Sequence, residues 1–279
     1  MKKIKIAHSP DTDDIFMFYA LKESLIPKPD WDFEFVAEDI GILNNQAKDE
    51  IYDITALSFH AYAHVSDQYA ILSSGASLAE KEYGPLIVTT QPKNLADLTN
   101  KKIAVPGLLT TATLLLRMML PQFTPVPMPA NAILDAVCQS QVDAGLIIHE
   151  GQIHYQNRGL HIAGRVIEYW KSFAGSLPLP LGLSAVKKSL GQEQMQSLAR
   201  LQKQSIQYAF DHRTEALAYA RLAAPELSLA EADHYLEWYA NKRTLNLGTE
   251  ERLAMLTLFN TAFAKGLIPK QVKIEIITG

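Results

Sequence analysis

The stretch "KKIAVPGLLTTATLLLRMML", residues 101–120, changes its periodicity halfway. The apolar run Ile103 to Val105 stops at Pro106-Gly107, and beyond Thr110 and Thr111 the apolar positions recur at helical spacing. Strand, turn and helix in so few residues make one βα unit. The same pattern recurs on both sides. "KIKIA" (3–7) leads through "HSPDTDD" (8–14) into "IFMFYALKESL" (15–25), and "DITAL" (53–57) runs into "SFHAYAH" (58–64). "DAGLII" (143–148) runs into "HEGQIHY" (149–155), and "DFEFVAE" (32–38) alternates strictly, as a half-buried strand does. Repeated units of this kind predict an α/β protein built on mostly parallel sheets.

Two extended stretches rich in proline or glycine, "YGPLIVTTQ" (83–91) and "LPLPLGLSAVKK" (177–188), bracket the central βα units. After the second, the apolar spacing is helical from about 192 to 266. The expected layout is two lobes joined by two crossings. The first lobe takes residues 1–88 and, as a helical C-terminal part, 188–279; the second takes 89–187. Such a layout puts a ligand cleft between the lobes, faced by the carboxyl ends of strands from both.

Composition narrows the partners. The 26 basic and 30 acidic of 279 residues leave a net charge of -4 with no run of like charge, so no nucleic acid partner is expected. No apolar run reaches membrane-spanning length, and no hydrophobic segment follows the lysines of "MKKIKIAHSPD" as a signal peptide would require. The single cysteine, Cys138, permits no internal disulfide, which suits the cytosol.

Several chemistries fail on spacing. His149 and His154 stand five residues apart, about 140° around a helix, whereas the zinc motif needs one turn. His60 and His64 have the one-turn spacing but no third ligand, so a half-exposed helix face explains them better. No metal is expected. Nucleotide loops and a G-x-S-x-G elbow are absent, and Cys138 lies in the helical pattern "ILDAVCQSQ" as a small hydrophobe. What remains are polar groups at strand-to-helix turns. Thr110 and Thr111 form an N-cap region whose amides and hydroxyls suit a carboxylate, although a plain cap is the simpler account. Ala56, Leu57 and Ser58 end another strand, and there too capping is simpler. Asp11, Asp13 and Asp14 favour a helix start but repel anions, so a ligand there should present hydroxyls. His149 directly follows a strand, on the side expected to face the cleft, and a neutral imidazole is a suitable general base. Glu150 beside it would orient the ring or cap the next turn.

Together, "DAGLIIHEGQIHY", "PGLLTTATLLL", "SPDTDDIFMFYAL" and "LPLPLGLSAVKK" resemble the 1,4-dihydroxy-6-naphthoate synthases of the futalosine route to menaquinone. The resemblance implies the two-lobed fold of periplasmic solute-binding proteins (type II), put to catalysis in the cytosol. It implies a small aromatic carboxylate as substrate, cyclic dehypoxanthinyl futalosine, cleaved without metal or redox cofactor into dihydroxynaphthoate and a sugar-derived fragment. It places the catalytic base on His149 and substrate contacts on Ala56, Leu57, Ser58, Thr110 and Thr111. That family often reads Cys-Pro-Asn-Asp where this chain has Asp11, Thr12, Asp13 and Asp14, so only Asp14 is carried over from the first turn. The rival readings are a plain solute-binding protein for a small carboxylate and the sister chorismate dehydratase, with which the HEGQ segment is not associated. A ligand-sensing regulator would need a DNA-binding segment that the sequence lacks.

Overall fold

The computed structural model describes residues 2–80 and 82–279. In chain order the strands are β1 (Lys2–His8), β2 (Trp31–Ala37), β3 (Ile54–Ser58), β4 (Tyr69–Leu72), β5 (Ser77–Ala79), β6 (Leu86–Thr89), β7 (Lys102–Val105), β8 (Thr124–Pro127), β9 (Ala144–Ile147), β10 (His161–Arg165), β11 (Leu179–Lys187) and β12 (Ile276–Ile277). The helices are α1 (Thr12–Lys22), α2 (Ile40–Gln46), α3 (Phe59–Val65), α4 (Thr111–Met119), α5 (Ile133–Cys138), α6 (Gly151–His154), α7 (Val166–Ala174), α8 (Gln192–Asp211), α9 (Arg213–Ala220), α10 (Leu229–Tyr239), α11 (Lys242–Leu245) and α12 (Thr249–Ala264).

Two sheets define two lobes. The first runs β12-β4-β11-β3-β1-β2 with β5 paired to β11, and the second runs β10-β6-β9-β7-β8. The repeated βα units supply the parallel pairs: β1 with β2 and β3, and β7 with β8 and β9. The sheets are nevertheless mixed, not mostly parallel. β11 runs antiparallel to β3, β4 and β5, and β6 runs antiparallel to β9 and β10. These two strands are the stretches that look like passages in the sequence. Each enters its sheet straight from the other lobe, with no crossover helix to restore a parallel direction. The sheets therefore differ from the expected limits at 88 and 187: β6 already belongs to the second sheet, and β11 belongs entirely to the first.

Burial follows the sequence patterns. Ile4 and Ile6 of β1 are fully buried, as are β3 and β9 along their whole lengths, the mark of strands covered on both faces. The largest core cluster takes Leu57 and Phe59 from the first lobe together with Val105, Leu115 and Leu146 from the second. The lobes are therefore packed on each other. α8 covers the first sheet beside α1, whose Leu21 amide donates to Ser205 Oγ at 3.1 Å. No helix among the described residues is long and apolar enough to cross a membrane.

Candidate active site

A cleft lies between the lobes, the usual place for a small-molecule site in a two-lobed protein. It is bounded by the ends of β1 and β3, the turn after β7, Ile148 beyond β9, Leu181 to Leu183 of β11, and Tyr235 and Tyr239 of α10. Ala56, Leu57, Ser58, Thr110, Thr111 and Asp14 all line it. No lysine or arginine does so among the described residues. Any anion held there must rely on backbone amides and hydroxyls.

The start of α4 supplies those groups. Thr110 caps α4, its Oγ1 accepting from the Thr113 amide at 3.3 Å and donating to Gly107 O at 3.1 Å. Thr111 Oγ1 donates to Leu181 O at 2.7 Å and accepts from the His60 amide at 3.4 Å. The threonine hydroxyls are thus committed to structure, as the plain cap reading anticipates. The Thr111 and Ala112 amides are the groups left to face a carboxylate, and the positive end of the α4 dipole adds to their pull. Ser58 departs from the capping expectation. Its hydroxyl makes no cap for α3; it accepts from Asn44 Nδ2 at 3.0 Å, while the Ser58 amide donates to Asn44 Oδ1 at 2.9 Å. That leaves the Ser58 proton free to donate into the cleft. Asn44, which fixes it, carries no signal in the sequence because it reaches Ser58 from α2.

Another part of the lining is acidic. Asp13 Oδ2 accepts from Ser77 Oγ at 2.9 Å, and Asp14 Oδ2 accepts from the Ser9 amide at 2.7 Å. Burial, with the charges of Asp14 and Glu150, pushes the Asp13 carboxyl up to about 8. Burial and the charges of Glu150, Asp13 and Asp14 hold Asp11 well above the usual carboxylate range, and burial also raises Asp14 against the pull of His8. Tyr235 and Tyr239 lie near these carboxyls, with phenols raised first by burial. A neutral carboxyl both donates and accepts, so this part of the lining suits hydroxyls.

Glu150 neither orients His149 nor caps the following turn. It reaches across the lobes, where Oε1 accepts from the Thr12 amide at 2.9 Å and from Thr12 Oγ1 at 2.7 Å. Asp11, at the cap position of α1, makes no side-chain cap, so the helix start is met by a carboxylate from the other lobe. His149 is buried at 8% exposure and stands off the cleft wall; the cleft residue on this strand end is Ile148. The imidazole lines an adjoining cavity together with Glu150, His154 and Asp11. Its Nδ1 accepts from the Gly151 amide at 3.2 Å, so the neutral ring carries its proton on Nε2. The ring lies against Gly151 so closely that a Cβ there would sit 2.6 Å from Cε1. Asp11 alone among these residues lines both spaces.

The remaining histidines separate. His60 is buried, not half-exposed, and burial lowers it to about 4; His64 is exposed, with ring centroids 5.4 Å apart. Packing of α3 against α4, which no local pattern encodes, covers His60. No cluster of three or more His, Cys, Asp or Glu residues suited to a metal occurs among the described residues.

The chain matches a family model described as menaquinone biosynthesis over residues 4–264. It is 38% identical over 267 residues, 96% of each chain, to the 1,4-dihydroxy-6-naphthoate synthase of Thermus thermophilus. It is similar to the crystal structure of an Archaeoglobus fulgidus protein at 41% identity and a TM-score of 0.90, covering 95% of this chain and 98% of that one. An alkanesulfonate-binding protein of Xanthomonas axonopodis bound to MOPS superposes with a TM-score of 0.75 at 14% identity, covering 100% and 99%. The fold is that of the periplasmic solute-binding proteins.

Proposed function

Because the chain belongs to the menaquinone biosynthesis family, we propose that it is the lyase that converts cyclic dehypoxanthinyl futalosine to 1,4-dihydroxy-6-naphthoate and a sugar-derived fragment. The observation that carries this reading is the lining of the cleft, which brings the amides of the α4 start together with carboxyls suited to hydroxyls and holds no lysine or arginine among the described residues. An aromatic carboxylate with a sugar remnant needs both kinds of partner. The substrate acid group sits on the amides beside Thr110 and Thr111, flanked by Ala56, Leu57 and Ser58. The sugar-derived part faces Asp14 and its neighbours.

His149 serves as the general base. It takes the proton of a sugar-derived hydroxyl, the carbon–carbon bond breaks in a retro-aldol sense, and formation of the aromatic ring drives the step. Nothing is oxidised or reduced overall, so the reaction is written without a redox cofactor or metal, and we place it in the cytosol. Proton uptake at Nδ1 displaces the long contact from Gly151, as expected of a bond that rearranges when substrate arrives. Closed lobes exclude water from the reacting atoms.

The test is turnover of the cyclic futalosine derivative by the purified protein, followed by appearance of the naphthoate. His149→Ala should slow it by about a hundredfold or more while substrate affinity stays close to wild type. Near-normal turnover in that variant rejects the base. Tight binding of a small carboxylate by the wild type with no turnover would instead make the protein a solute binder.

A further inference from the structure

We propose that Asp11 is a catalytic residue, the general acid that works opposite His149 and returns the proton between the cleft and the imidazole. The inference rests on the lyase reading above and assigns the group that completes it.

The geometry sets the problem. A base must share a space with the atoms it serves, yet His149 lines the adjoining cavity and not the cleft. Asp11 is the side chain common to both walls. It stands at the start of α1, between the carboxyls of Asp13 and Asp14 on its own helix and Glu150 from the second lobe, with Tyr235 and Tyr239 on α10. Its side chain makes no cap hydrogen bond to α1, and the Thr12 amide is met by Glu150. The Asp11 carboxyl is therefore free of the structural task its place in the sequence suggests. Burial and the charges of Glu150, Asp13 and Asp14 raise its carboxyl well above the usual carboxylate range against a hydrogen bond from Ser9, which favours the protonated state a proton donor needs.

The step balances without any further reactant. The sugar-derived hydroxyl, reaching past Asp11 into the cavity that His149 lines, gives its proton to His149 and becomes a carbonyl as the carbon–carbon bond breaks. The released electron pair moves into the ring system and ends on a ring carbonyl oxygen. That oxygen takes the proton from the Asp11 carboxyl and becomes a phenol. The Asp11 carboxylate then recovers a proton from the imidazolium across the cavity both groups line. Substrate loses one proton and gains one, and both residues return to their starting states.

Steady-state kinetics on the cyclic futalosine derivative test this, with fluorescence titration of 1,4-dihydroxy-6-naphthoate as the check that the cleft is intact. Asp11→Asn and Asp11→Ser should each lower kcat at least tenfold, with KM and naphthoate affinity within about threefold of wild type. Asp11→Glu, which keeps a carboxyl, should recover part of the loss. A kcat within twofold of wild type in Asp11→Asn overturns the assignment, as does a loss confined to KM. His149→Ala measured in parallel separates the two readings. If it is inactive while Asp11→Asn is unimpaired, the base stands and only the acid falls. If it retains turnover, the base is lost and the proton return from it is lost as well.

Discussion

Asp13 shows how one residue reports its surroundings through pH. With a carboxyl pushed up to about 8 in the fold against 3.8 for the free group, the folded chain holds a proton that the unfolded chain releases. Between those values the unfolded state binds fewer protons, so stability is greatest below about 3.8 and declines as pH rises toward 8. Asp13→Asn removes the titration while keeping the acceptor for Ser77. The variant should gain on wild type by up to about 1.4 kcal/mol per pH unit between pH 5 and pH 8, measured by urea unfolding. A difference that stays flat across that range would mean the carboxyl ionises normally. His60 acts in the opposite sense. Its folded value of about 4 lies below the 6.5 of the free imidazole, so it destabilises the fold as pH falls through that window, and Asp13 dominates only on the alkaline side.

At the scale of the element, α1 depends on a residue it could not recruit locally. Its first amide, Thr12, is met by Glu150 from 138 positions away. Charge-assisted hydrogen bonds of this kind contribute more than neutral ones, and a buried amide left without a partner costs about 1–3 kcal/mol. Glu150→Gln keeps an acceptor for Thr12 and removes the charge that crowds Asp11 and Asp13. Glu150→Ala removes both. We expect Glu150→Ala to be less stable than Glu150→Gln by on the order of 1–2 kcal/mol in chemical unfolding; equal stabilities would mean the contact between lobes adds nothing. The same pair marks the boundary of what the sequence makes legible. The βα units around Ile4, Val105 and Leu146, the Thr110 cap and the polar strand-to-helix turns follow from local periodicity and turn chemistry, while the choice of cleft residues at those turns comes from the family resemblance. The Glu150 to Thr12 contact, the Asn44 clasp on Ser58, the burial of His60 and the reversed direction of β6 and β11 do not. Each is set by where a second, distant element arrives, and the period of a short stretch contains no record of that. His149 lies between the two cases: its place after β9 is legible, but the turn of its ring over Gly151 into the adjoining cavity is not.

For the whole molecule, the decisive contact is where the lobes touch beside the cleft. Asp39 caps α2 through the Gly41 amide at 2.7 Å and also accepts from the Ala130 amide of the second lobe at 3.1 Å. Gln152 exchanges hydrogen bonds with the Tyr239 hydroxyl, and His154 pairs with Glu231 at 2.8 Å, so the second lobe is tied to α10 as well. At the centre of the seam two backbones meet with no side chain between them. A Cβ on Gly41 would sit 2.7 Å from Pro106 O, and one on Gly107 would sit 2.9 Å from the Gly41 Cα. Gly107 is a poor probe of this contact, because its φ of 132° strains any other residue whatever the space. Gly41 lies within α2, where alanine is favoured over glycine by about 1 kcal/mol, and within its own lobe the methyl group meets only the Asp39 side chain, 3.0 Å away at Oδ1, which can turn aside. The methyl group then has one way to avoid a carbonyl oxygen, which is to hold the lobes apart. If closure completes the site, Gly41→Ala should raise KM for the cyclic futalosine derivative severalfold and enlarge the radius of gyration in X-ray scattering, with little change in melting temperature. An unchanged KM together with unchanged scattering would show that the seam gives way elsewhere and does not govern access to the cleft.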